Sequence, residues 1–176
     1  MAQKKNNHTK KNDLPMKKIL VILGAIVVIV GASLLTQNKN SGSNTIKPVT
    51  LSEAGDLIIP LNEVSEEASF YPVEVDGTKL EVLAIKASDG TVRTAFNTCQ
   101  ICYSSGRGYY VQSGDALICQ NCGNQFAADQ VEIVRGGCNP VPIFEENKVV
   151  TADSITISNE FLKQTSNIFA NWKSEY

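Results

Sequence analysis

Two C-x-x-C pairs, Cys99/Cys102 in "TCQICYSSG" and Cys119/Cys122 in "ICQNCGNQF", stand sixteen residues apart, and the fifth and last cysteine, Cys138, follows in "RGGCNP". This spacing constrains the fold more than any other feature. Each C-x-x-C turn aims two sulfurs at one point, and a hairpin between the pairs can bring both points together into a four-sulfur tetrahedron. Thiols in this pattern hold a metal, pair as disulfides or exchange with a partner's disulfide, and the compartment bears on the choice.

The N-terminal segment points to that compartment. Residues 19–35, "ILVILGAIVVIVGASLL", are seventeen in a row without a charge, near the lower limit of the roughly 17–25 residues that cross a bilayer. Lys17 and Lys18 flank one end, and the head 1–18 holds six lysines against a single acid, Asp13. Lysines stay on the cytoplasmic side, so the head is expected inside and everything after Leu35 outside. "SLLTQNKN" offers no A-x-A cleavage pattern and no cysteine to take a lipid, which favours an uncleaved single-pass anchor over a signal peptide. Beyond residue 18 the chain has ten basic and seventeen acidic side chains, and an acidic body excludes nucleic acid as the partner class.

Residues 36–50, polar and rich in Ser, Asn and Gly, read as a flexible tether. The Cys-rich domain is expected over 51–157, mainly β: "DLIIPL", "ASFYPVEV", "KLEVLAIKA" and "TVRTAFN" are separated by the turn signals Asp76-Gly77 and Asp89-Gly90. Leu80 to Ile85 carry apolar residues on both strand faces, so that strand is expected to be buried on both sides. "YYVQSGDALIC" predicts a hairpin with "SGD" at its tip, and "VPIFEENKVVTADSITI" two or three more short strands. Over 158–176 the period changes to helical. Phe161, Leu162, Thr165, Ile168, Phe169 and Trp172 share one face behind Ser158 as N-cap, which predicts an amphipathic helix docked on the domain. The expected architecture is therefore a small extracytoplasmic β domain with Cys knuckles, Rieske-like or zinc-ribbon-like, between one transmembrane helix and one C-terminal helix.

Cys99, Cys102, Cys119 and Cys122 are the candidate metal ligands. The only histidine, His8, lies in the head, so no imidazole joins the site and no Cys–His catalytic pair can form in the exported domain. Iron and zinc suit such a thiolate set, as does Cu(I). Cys138, after two glycines and before Asn-Pro, is expected in a tight turn as an auxiliary ligand or redox thiol. Disulfides remain the rival reading in an oxidising compartment, although an odd cysteine count leaves one thiol over. Elsewhere no paired carboxylates, Gly-rich phosphate loop or nucleophile triad stands out.

From about residue 57 to 157 the chain resembles the FtrD-like family of bacterial membrane iron-sulfur proteins, through "DGTVRTAFNTCQICY", "GYYVQSGDALICQNCGNQF" and "GGCNP" in that order. All five cysteines match those of the family. The resemblance implies a membrane-tethered metal-binding domain associated with iron uptake, with an iron-sulfur cluster or metal ion as cofactor and a role in electron transfer or iron handling. Many relatives carry a polytopic membrane region before this domain, where this chain has a single anchor. A second likeness, to Rieske proteins, rests on the loop separation and the G-x-x-F after the second pair. Both Rieske histidines are replaced, which excludes a two-His centre. The head lacks a twin-Arg signal, so a chain exported unfolded would acquire its metal outside. The alternatives in other classes are a cell-surface thiol–disulfide oxidoreductase and a binding module with a purely structural zinc. An iron uptake or redox membrane complex is the expected partner.

Overall fold

In the computed structural model residues 44–173 are described. Three short strands lead in, β1 (Thr45–Ile46), β2 (Thr50–Leu51) and β3 (Leu57–Pro60), followed by a meander of β4 (Ser69–Val75), β5 (Thr78–Lys86) and β6 (Val92–Cys99). The meander turns where Asp76-Gly77 and Asp89-Gly90 predict, and β5 is buried on both faces from Leu80 to Ile85. β7 (Tyr110–Ser113), β8 (Ala116–Cys119) and β9 (Gln125–Ala127) form a separate three-stranded antiparallel sheet. β10 (Pro140–Pro142), β11 (Val149–Val150) and β12 (Ser154–Ile157) complete the strands. The fold is mainly β.

The meander is the central layer of a five-stranded sheet ordered β1-β4-β5-β6-β10. Its strands are in register so that Tyr71, Val82 and Phe96 line up on one face and Phe70, Leu83 and Ala95 on the other. Period-two alternation sends the two sets to opposite sides. The first face packs against Leu57 and Ile59 of β3, Ile155 and Ile157 of β12, and the C-terminal segment, forming the larger core. The second face packs against Tyr110, Leu117, Cys119 and Phe126 of the three-stranded sheet, with Cys99 in the same cluster. The cysteines therefore belong to the smaller of two cores.

Two expectations need correcting. The tether drawn to residue 50 ends earlier, because Thr45 and Ile46 pair in parallel with Ser69 and Phe70, and Thr50 and Leu51 pair with β3. β-branched residues inside a polar stretch found sheet edges to join. The helix drawn over 158–176 is short: α1 spans Asn159–Thr165, and a 3-10 turn over Ser166–Phe169 follows. Ser158 does cap it, accepting from the Phe161 amide at 3.2 Å. The hydroxyl of Thr165 donates back to the carbonyls of Phe161 and Leu162 at the helix end, competing with the regular ladder. The apolar stripe still docks, with Leu162 and Phe169 buried and Phe161, Ile168 and Trp172 packed against the larger core. The anchor at 19–35 lies outside the described residues; among those described, no helix is long and apolar enough to cross a membrane.

Candidate metal centre

Cys99 closes β6 and Cys119 closes β8, so each pair begins on a strand end and continues into a turn. The two ends meet through β7. Tyr110 is the register partner of Cys119, and the Cys99 amide donates to the Gly108 carbonyl at 2.7 Å. In the first turn the Cys102 amide points back at the Cys99 sulfur, 3.3 Å away. Gly108 makes this approach possible: a Cβ there would meet the Cys102 carbonyl oxygen at 2.6 Å.

Cys138 arrives from the other side of β6. Strand β10 pairs antiparallel with β6, and the register slips between Pro140, opposite Cys99, and Val141, opposite Phe96. Such a bulge re-aims side chains at a strand end. It delivers the turn before Pro140 onto the sulfurs: Cys138 lies 3.1 Å from Cys99, 3.6 Å from Cys102 and 2.8 Å from Cys122, sulfur to sulfur. Gly136 and Gly137 hold φ of 81° and 70° in that turn, a left-handed path that side chains with a Cβ rarely take. The Cys138 carbonyl is fixed from two directions, by the Tyr110 hydroxyl at 2.8 Å and the Asn124 amide at 3.0 Å. Gln100, inside the first C-x-x-C, accepts from the Gly136 amide at 3.1 Å and donates to the Pro140 carbonyl at 3.2 Å.

All five cysteines are free thiols; Cys99 and Cys119 are buried, Cys102 and Cys138 half-buried and Cys122 exposed. The sulfurs that lie mutually within 4.8 Å are those of Cys99, Cys102, Cys119 and Cys138. Cys122, expected among the four ligands, borders this group and interacts with Cys138, Cys119 and Cys102, while Cys138, expected as auxiliary, sits among the other sulfurs. Phe126, four residues after Cys122, packs in the same buried cluster as Cys99 and Cys119.

Electrostatics separate the thiols. Burial works against a charge on Cys99, but hydrogen bonds from Tyr110, the Cys102 and Ile101 amides and Cys138 outweigh it and hold this thiol below its usual range. Contact with Cys138, with the Asn124 amide, lowers Cys122 to about 7. Burial pushes Cys119 up to about 11 and raises Cys102 and Cys138. Burial likewise raises the phenol of Tyr110, which therefore remains a donor. Charged sulfurs this close repel one another, and a cation among them removes that repulsion while the thiols release protons.

The group fits a metal by donor type and by spacing. Four soft thiolates suit zinc or iron. A tetrahedral ion with metal–sulfur bonds of about 2.3 Å sets its sulfurs about 3.8 Å apart, and the four thiols already lie within 4.8 Å of one another.

A polar network supports the first knuckle, and nothing in the cysteine spacing announces it. Glu81 of β5, 2% exposed, accepts from the Asn97 side chain at 2.6 Å, and the Asn97 oxygen accepts from the Tyr110 amide at 2.7 Å. Lys173 reaches Glu81 at 3.2 Å, and the Trp172 indole donates to the Asn97 carbonyl at 2.7 Å. The one hint in the sequence is a carboxylate, Glu81, inside a run otherwise apolar on both faces.

Among known proteins, a family model described as membrane iron-sulfur containing protein FtrD-like matches residues 63–169, more than half of the chain and all five cysteines. No curated protein and no solved structure matches.

Proposed function

This chain belongs to the FtrD-like family of membrane iron-sulfur containing proteins, and from that premise we propose that it holds iron at the extracytoplasmic face of a membrane, for iron handling or electron transfer. Cys99, Cys102, Cys119 and Cys138 are the ligands on this reading, and the observation that carries it is their mutual approach within 4.8 Å. When bound, the metal would supply a redox-active or exchangeable centre. The chain's own residues orient it: Tyr110 and Asn124 fix the backbone of Cys138, and the Cys102 amide stabilises charge on Cys99. The single anchor at 19–35, with the lysine-rich head inside, would keep the site beside an iron uptake or redox complex.

The test is to purify the full chain in detergent without air, measure bound metal and free thiols, and record the visible spectrum. Thiolate-to-iron charge-transfer bands with metal stoichiometric to the chain are expected. A colourless zinc-loaded protein would move the site to a structural role, and a metal-free protein with its thiols oxidised would sink the metal reading. A second reading, thiol–disulfide exchange, is favoured by the contact of exposed Cys122 with Cys138; it requires a reversible bond between these two sulfurs and disulfide reductase activity in the metal-free chain.

A further inference from the structure

Five sulfurs converge where a tetrahedral ion takes four, and their exposure is graded. Cys122 is exposed, Cys102 and Cys138 are half-buried, and Cys99 and Cys119 are buried. The exposed sulfur is in contact with the others: Cys122 touches Cys138 at 2.8 Å and also interacts with Cys119 and Cys102, and Cys138 touches Cys99 at 3.1 Å and Cys102 at 3.6 Å. The two buried sulfurs are anchored on strand ends, whereas Cys138 lies on a turn whose residues 134–137 are exposed. A chain that only stores an ion needs no surface sulfur in contact with a resident ligand. A chain that passes ions inward and outward does.

We propose that Cys122 is an exchange ligand, which takes a thiophilic cation from solvent or from a donor's thiolate and hands it to Cys99, Cys102, Cys119 and Cys138. The inference rests on these four being the resident ligands. In the inward direction a bond from the ion to the Cys122 sulfur forms as a water or a donor ligand leaves. That bond breaks when the buried sulfurs have closed around the ion. Each thiol that binds releases its proton to solvent, and no electron is transferred. The outward direction retraces these steps, so loss of Cys122 slows capture and release by the same factor and leaves the equilibrium unchanged.

Cobalt(II) is the probe, because tetrahedral thiolate coordination gives it visible bands. The full chain in detergent is mixed with cobalt(II) in a stopped-flow instrument without air, and the loaded chain is then challenged with EDTA. For Cys122→Ser the expected result is wild-type stoichiometry, affinity and spectrum, with capture and release both slowed by about tenfold. Cys99→Ser should lose the bands. If Cys122→Ser loses affinity as Cys99→Ser does, Cys122 is a resident ligand and the exchange route is wrong. Unchanged rates also overturn the route while leaving the metal site standing. A wild-type chain that binds no cobalt overturns the metal reading and the route together.

Discussion

Lys148 shows how much single side chains carry in this molecule. Its side chain is 2% exposed and its ammonium lies 2.7 Å from the Glu132 carboxylate, which also accepts from the Thr94 amide at 2.8 Å. Glu132 has a φ of 68°, a backbone strain that persists only where surrounding contacts over-determine it. Lys148→Met removes the cation paired with a carboxylate that is itself 12% exposed, and breaking such a pair costs about 3–5 kcal/mol. Denaturant unfolding should show that loss, and adding Glu132→Gln should restore part of it. At the site, Cys138 touches three other sulfurs, so Cys138→Ser should abolish metal binding as fully as Cys99→Ser, read as cobalt(II) stoichiometry. The sequence marked Cys138 as unusual through its two glycines; its position among the sulfurs depends on the β6–β10 bulge, which no local pattern encodes.

Between single residues and the whole, the elements that matter are the first knuckle and the C-terminal strap over it. Gly108 leaves no space for a methyl group against the Cys102 backbone, and its own carbonyl is held by the Cys99 amide. Gly108→Ala should therefore leave the circular dichroism of the sheets intact while weakening metal affinity, on the 10–100-fold scale seen when a ligand's support is disturbed. The strap runs from α1 through the 3-10 turn to Lys173, whose amide donates to the Gly106 carbonyl at 2.8 Å. Trp172 packs edge-on against Phe169 and donates to Asn97. Trp172→Phe keeps an aromatic ring, smaller than the indole, and removes the hydrogen bond, so stability should fall by at least about 1 kcal/mol, with faster hydrogen exchange confined to residues 97–108. The helical period over 158–172 revealed the docking face because side-chain spacing is local. The tail's contacts with Asn97, Glu81 and Gly106 were not legible, since they join residues more than sixty positions apart.

For the molecule as a whole, two cores share one central sheet, and only one of them includes cysteines. The larger, built on Tyr71, Val82, Phe96, Ile59, Ile155 and Leu162, has no cysteine in it. The smaller contains Cys99 and Cys119, with Cys102 and Cys138 packed against it, so ligation would tie β6, β8 and the turn before β10 together. Binding to the folded state at a thousandfold excess over the dissociation constant stabilises it by about 4 kcal/mol. Chelation should accordingly lower the melting temperature and speed hydrogen exchange in β7, β8 and β9 while β4 and β5 stay protected. Equal loss of protection everywhere would mean that the metal holds the entire domain. The sequence by itself determined the mainly β character, the turn positions, the two-faced burial of β5 and the absence of histidine beyond residue 8, because alternation, turn chemistry and residue inventory are all local or compositional. Which sulfurs meet was decided only in three dimensions: a register slip of β10 against β6 joins Cys138 to a knuckle far from it in the chain, and long-range register is set by packing of whole faces.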